Sequence, residues 1–453
     1  MIRNKKKFID SYSRYISSKD FISSNRTFSY TTSLSWDKFE SCIDIEHPKL
    51  KNIFFVNKLS KKFKMLSAGK HKSFSLDNKS KDQFNYNLKK YIKDIHSINH
   101  SNETNIPAIV GGQNFDINKK NDDIWSNVPR LEYWIPKILF LDNNGISTVT
   151  HFFDTVLEPD NAYEIIDHNC SLIDSLIKNE FTSNKNIIID NEKNHIDKKK
   201  FSNSINEIKR KIKSKKVSKV VISNIISFDI EQRPSFVPLL ENLTKNYSNC
   251  SVFYKKFNDS QIIIGATPEL IIKKTKNELQ TNALAGSKPI ENKDELLSDS
   301  KIIEEHDIVV KGIIDNLKSF NLKSTTDNKN IFELKNISHI ITKINSKVDD
   351  RINPLDILDS LVPTPALCGY PKKESLKMIN NLEDYGRGRY AGPIGWINLD
   401  MNCEFYAAIR TAYFNKNKLY FYGGAGIVIN SNAEQEWEEI ERKINAIKEI
   451  INE

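Results

Sequence analysis

The feature that most narrows what this chain can fold into is its tail. Three apolar runs, at 393–399, 403–413 and 418–429, are separated only by short turns rich in Asn, Asp and Lys. Connections that short cannot carry a parallel crossover, so the runs predict an antiparallel meander. A helix follows at once. It opens on Ser431-Asn432-Ala433-Glu434, a capping-box pattern that satisfies backbone donors at a helix start. At about 100° per residue, Trp437, Ile440, Ile444, Ile447 and Ile451 share an arc of roughly 80°, which is the stripe such a helix buries. Glu436, Glu439 and Lys443 form a second arc beside it.

The same reading applies around Ile302. Ile302, Ile303, His306, Val309, Val310, Ile313, Ile314 and Leu317 make an apolar stripe, with Glu305 at its edge and Glu304 pointing away. Glu305 and Glu439 therefore occupy half-buried borders on two helices. Periodicity alone favours ordinary boundary carboxylates, and His306 reads as a packed core histidine. Two such carboxylates would nonetheless suit a hard divalent cation, which takes a few carboxylate oxygens and keeps positions for water and substrate. Partners for an anionic ligand are also present: Arg410 in a predicted central strand, Lys443 one turn beyond Glu439, and a predicted glycine-rich turn at 423–426, whose backbone a carboxylate can approach.

Upstream, 108–112 and 134–140 read as strands, and the polar stretch from about 182 to 200 as a surface loop. Phe201, Ile205, Ile208 and Ile212 recur at helical spacing and lead into a β-branched strand at 217–223. Strand, turn and strand follow at 262–264, 265–268 and 270–272. The chain carries a net charge of +9 with lysine runs at 5–7, 198–200 and 209–219. No aromatic residues interleave with them, so they read as solvated faces and not as a nucleic-acid surface. The five cysteines (42, 170, 250, 368, 403) are scattered without a CxxC pair, which indicates neither a disulfide framework nor a zinc site. There is no signal-type apolar segment after the basic start and no membrane-length apolar run, so the expected location is cytoplasmic.

Seven segments, taken in order, resemble the chorismate-utilising enzymes: Lys219-Val220-Val221-Ile222-Ser223; Gly265-Ala266-Thr267-Pro268-Glu269-Leu270; Ala283-Leu284-Ala285-Gly286-Ser287; Glu304-Glu305-His306; Pro363 through Pro371; Arg387-Gly388-Arg389-Tyr390-Ala391-Gly392; and Gly424-Ala425-Gly426-Ile427-Val428 followed by Glu436-Trp437-Glu438-Glu439. Gly111 to Asp116, Trp125 and Pro136 look like the weaker N-terminal pattern of the same enzymes. The resemblance implies an α/β (α+β) fold of two twisted, mainly antiparallel sheets packed face to face with helices outside. It implies one large domain over 1–453, with 1–200 the weakly matching N-terminal portion and 201–453 the chorismate-binding catalytic portion.

The resemblance also assigns roles. Lys219 would be the general base, its pKa lowered by burial, and places the chain with the members that use water and not ammonia. Glu269 would be the general acid. Mg²⁺ would be held by Glu305 and Glu439 with Glu436 supporting. Gly286, Ser287 and His339 would lie near the ring carboxylate of chorismate, and Tyr390, Arg410, Gly424 and Lys443 near its side carboxylate. Ala366 and Leu367 complete the substrate-binding set, and Ala366 stands where salicylate-forming members tend to carry threonine. The expected activity is isochorismate synthesis by a monomer needing no glutamine amidotransferase subunit; the alternatives are salicylate synthesis and, far behind, a non-catalytic nucleic-acid-binding protein. Asn224, Lys288 and Ile302 depart from the pattern, the first two at positions where arginine is common and the third where relatives carry an acid.

Overall fold

The computed structural model describes residues 5–17, 27–33, 51–76, 80–155, 158–176 and 189–452. Two sheets dominate them. The larger has thirteen described strands and runs from Ile189–Asn194 through Lys219–Ile230, Lys418–Ile427, Thr411–Asn415, Gln261–Thr267 and Ser251–Asn258 to strands of the N-terminal half. The smaller has ten, with Ile337–Lys347, Glu278–Pro289, Leu270–Thr275, Cys403–Ala407, Pro393–Asn398 and Pro107–Gln113 side by side. Both sheets thus draw strands from both halves of the sequence, set side by side in blocks. Neighbours are antiparallel throughout except Thr27–Ser33, which pairs in parallel with His96–Asn99.

One apolar core draws on both sheets, from Ile222, Ile225 and Phe421 in the larger to Ile272, Trp396 and Phe405 in the smaller. The Lys219–Ile230 strand is buried along almost its whole length, which explains a β-branched run without polar alternation. Helix Ala433–Asn452 packs on Lys418–Ile427, and helix Ser300–Lys318 on Glu278–Pro289. The stripes read from periodicity are the ones that pack: Trp437, Ile440, Ile444, Ile447 and Ile451 are buried, as are Ile302, His306, Val309, Ile313 and Leu317.

The structure corrects the sequence reading in five places. The 403–413 run is two strands in different sheets, so Arg410 lies in the crossing between them with a left-handed φ of 54°, and not in a central strand. The turn read at 265–268 is strand as far as Thr267, and the two strands it joins part company: Gln261–Thr267 belongs to the larger sheet and Leu270–Thr275 to the smaller. Residues 423–426 are strand and not turn, in register with Ser223 and its neighbours. Within the supposed loop, Ile189–Asn194 forms an edge strand and helix Lys198–Lys213 begins before 200; residues 182–188 lie outside the described residues. Finally, Asn432 caps the last helix, its Oδ1 accepting from the amides of Glu434 and Gln435, while Ser431 Oγ accepts from Val428. Among the described residues no helix is long and apolar enough to cross a membrane.

Candidate active site

The two crossings between sheets run beside each other and hold each other in place. Ala407 N donates to Glu269 O (3.0 Å) and Ala266 N to Arg410 O (3.2 Å). Each chain pairs with the other on both sides of the seam, Gly265 with Thr411 and Leu270 with Tyr406. The hydrogen bonding therefore fixes Glu269 and Arg410, 141 positions apart in sequence, at one place where the sheets part.

A cavity opens there. Its walls include Glu269, Gly286, Ser287, Glu305, His339, Ala366, Leu367, Tyr390, Arg410, Gly424, Glu439 and Lys443, twelve of the fourteen residues singled out from sequence. The remaining two stand directly behind it. Lys219 Nζ lies 3.0 Å from Glu305 Oε1, and Glu436 accepts from Lys301 Nζ at 2.5 Å. Lys219 is only 1% exposed. Gly426 makes room for this pair, because a Cβ there would sit 2.2 Å from Glu305 Oε1 and 2.5 Å from Lys219 Cε.

Glu269 is fully enclosed, and burial pushes its carboxyl up to about 7 despite the hydroxyl of Thr364, which donates to Oε1 at 2.8 Å and favours the charged form. It is thus a carboxyl able to carry a proton near neutral pH. Across the cavity, Arg410 Nη2 lies 3.0 Å from His339 Nε2, and His339 Nδ1 lies 3.0 Å from Ser287 Oγ. Burial, then Arg410 and Lys443, hold His339 well below its usual range, so the ring is neutral. An arginine can only donate, which makes Nε2 the acceptor and leaves the ring proton on Nδ1, donated to Ser287. Three side chains thereby form one directed relay from Arg410 through His339 to Ser287, and Ser287 also helps to hold the Glu439 carboxyl down.

Gly424 contributes backbone. Ser223 gives its amide to Glu383 Oε1 (2.8 Å), so the Ser223–Gly424 pair is a non-hydrogen-bonded one and Gly424 turns its polar groups away from that strand. Its carbonyl accepts from Lys443 Nζ at 2.8 Å, and the same ammonium holds Glu439 Oε1 at 2.6 Å. The three helix carboxylates each have their own lysine: 219 for Glu305, 301 for Glu436, 443 for Glu439. They still crowd one another. Burial and then the charge of Glu439 raise Glu436 to about 7, with Glu305 adding to the effect, while Glu439, opposed by burial, is held down by Lys443. Among the described residues no group of three such side chains is already arranged as a metal cage. The donor set is nonetheless hard oxygen, and the mutual repulsion is what a cation would relieve.

The three departures are accommodated locally. Asn224 bonds the Ile196 amide and Asn194, Lys288 pairs with Glu295 and Asp299, and Ile302 packs with Leu296 and Ile340. Ile302 also lies where a Cβ on Gly286 would come within 2.5 Å, and Gly286 has a φ of +76°. His306 is structural, bonded to Ala285 O and Thr342 Oγ1. The sequence reading missed the supporting residues. Thr364, Lys301 and Arg387 all lie in or beside the matching segments, but Glu269, Glu436 and Val221, which they bond, are remote in sequence. Arg387 is the most connected: it clasps Glu383 and donates to Leu367 O and Val221 O, each at 2.8 Å, while lining the cavity.

A family description, chorismate binding enzyme, matches residues 15–452. The chain belongs to that family. Among curated proteins, the isochorismate synthase MenF of Haemophilus influenzae is 31% identical over 247 residues, covering 53% of this chain and 57% of that protein. Anthranilate synthase component 1 of Saccharolobus solfataricus is 30% identical over 267 residues, 56% of this chain and 63% of that protein. The matches thus span about three-fifths of those relatives' own lengths. In three dimensions the menaquinone-specific isochorismate synthase MenF of Escherichia coli superposes with a TM-score of 0.78 at 19% identity, over 98% of this chain and 99% of that one. That likeness establishes the shared fold, two antiparallel-rich sheets with helices, as the family resemblance implied.

Proposed function

We propose that this chain is an isochorismate synthase that interconverts chorismate and isochorismate. The observation that carries the reading is the pairing, around one cavity, of a buried amine at Lys219 with a buried carboxyl at Glu269 that burial holds up to about 7. A water added at ring C2 needs its proton removed, and a C4 hydroxyl leaves only if it receives one. Lys219 takes the first proton and Glu269 delivers the second, as the C2–O bond forms, the ring double bonds shift and the C4–O bond breaks. The reverse reaction exchanges the roles.

Arg410, Lys443 and the Gly424 backbone grip a carboxylate, and Tyr390, stacked on Tyr422, walls the same side. His339 and Ser287, locked in one tautomer, fix the neighbouring end, with Gly286. Mg²⁺ held by Glu305 and Glu439, with Glu436 supporting, would neutralise carboxylate charge as the ring electrons rearrange. Ala366, beside Leu367 on the cavity wall, stands where salicylate-forming members of the family tend to carry threonine, which supports isochorismate as the product. On this reading the enzyme is a cytoplasmic monomer of one domain, without an amidotransferase subunit and without nucleic-acid or membrane partners, and its product feeds menaquinone or a siderophore.

Incubation of the purified protein with chorismate and Mg²⁺, followed by chromatography, tests the proposal. Isochorismate as the sole product is expected. Salicylate with pyruvate would establish the rival activity, and unchanged chorismate would refute both.

A further inference from the structure

A cation outside the cavity holds the loop that serves it. Helix Pro354–Leu361 ends at Val362, and the last carbonyls of any helix lack partners within it. Lys372, which opens helix Lys372–Leu382, aims its ammonium at that end: Nζ donates to the carbonyls of Asp359 (3.2 Å), Ser360 (2.7 Å) and Val362 (2.9 Å). This uses all three of its donors, and positive charge is favoured at a helix C-terminus. The residues that follow directly, 363–367, carry Thr364 to Glu269 and bring Ala366 and Leu367 to the cavity wall. At the other end of the same loop, Arg387 Nη1 donates to Leu367 O at 2.8 Å. The loop is strung between two cations.

We propose that Lys372 is a positioning residue: by fixing the helix end and Val362, it sets the Thr364 hydroxyl against Glu269 and thereby tunes the acid's proton. The inference rests on the isochorismate synthase reading for its kinetic readout, but not for its spectroscopic one. Burial raises Glu269, and against it the Thr364 hydroxyl, then Lys219 and Lys443 facing it from a strand and a helix, favour the ionised form, so losing the Thr364 alignment makes the acid hold its proton to higher pH.

The experiment compares Lys372→Met, Lys372→Arg, Thr364→Val and the Lys372→Met/Thr364→Val double variant. In Lys372→Met, kcat should fall roughly 10- to 100-fold, the scale of a small misplacement. The basic limb of its pH profile should move up by about one pH unit, the worth of one hydrogen bond to a charged group. Thr364→Val should shift the limb equally, the double variant no further, and Lys372→Arg should restore the wild-type position. Lys372→Gln, with two donors, replaces Lys372→Met if the latter does not fold by near-UV circular dichroism, and should give a partial shift.

The same comparison is made by isotope-edited infrared titration of the Glu269 carboxyl, using Glu269→Gln as the reference. If chorismate is not turned over, the functional reading fails while this titration still decides the role of Lys372. A carboxyl that titrates unchanged without Lys372, or shifts that add in the double variant, overturns the inference.

Discussion

Replacing Glu269 with Gln should make the protein more stable and inactive, and the gain should depend on pH in a defined way. The carboxyl ordinarily ionises at 4.5 and does so at about 7 when folded, chiefly because it is buried. Between those values the native state binds more protons than the unfolded chain, so stability falls as pH rises. Across that interval, at about 1.36 kcal/mol per pH unit, the cost accumulates to roughly 3 kcal/mol and is fully present above pH 7. Glutamine keeps the shape and still accepts from Thr364, but cannot ionise. Urea unfolding of both proteins from pH 4 to pH 8.5 measures the difference. The two curves should run parallel below about pH 4.5, diverge up to pH 7 and stay apart above it, with the variant more stable by roughly 3 kcal/mol. A difference that does not vary with pH would show that Glu269 titrates as an exposed carboxyl, and the proposed acid would lose its basis.

Mg²⁺ binding measured by calorimetry should be detectable in the wild type and lost in Glu439→Gln, and exhaustive chelation should remove turnover; activity without the metal would remove the ion from the mechanism. Gly426→Ala should abolish turnover, since the nearest atoms its methyl would meet are the ends of Glu305 and Lys219; a folded, fully active variant would show that their alignment is unimportant. Lys255 is buried beside Glu132 with its ammonium over Trp134, and burial lowers it to about 7. Its folded value is depressed, so the unfolded chain binds the extra proton from pH 7 to 10.5 and wild-type stability rises through that window. Lys255→Met should lack this rise, so its stability relative to wild type should fall by about 1.36 kcal/mol for each pH unit from about pH 7 to pH 9.5 in parallel urea titrations; a difference that stays constant across that window would refute the depressed value.

What the sequence disclosed follows from which interactions are local. Helical periodicity placed Glu305 and Glu439 at the borders of buried stripes, because a helix repeats every few residues and its neighbours are close in sequence. Alternation could not show that the 403–413 run changes sheets at Arg410, since both strands are buried on both faces and the break is set by pairing with remote strands. The Gly-Gly-Ala-Gly run at 423–426 read as a turn for want of side chains, yet its smallness serves a strand pressed against Glu305, Lys219 and Tyr390. The edge strand Ile189–Asn194 is polar because it pairs on one side only. Thr364 gave no sign of its bond to Glu269, 95 residues away, and neither did Lys301 of its bond to Glu436.

The paired crossings that carry Glu269 and Arg410 also bear on how the molecule comes to be active. Neither side chain reaches its place until segments 141 positions apart have met and both sheets have registered. Contacts so distant in sequence form late, after helices and local hairpins. During refolding, recovery of turnover should therefore trail the early recovery of far-ultraviolet circular dichroism, and a chain with its helices and local hairpins formed would remain catalytically silent until the seam closes.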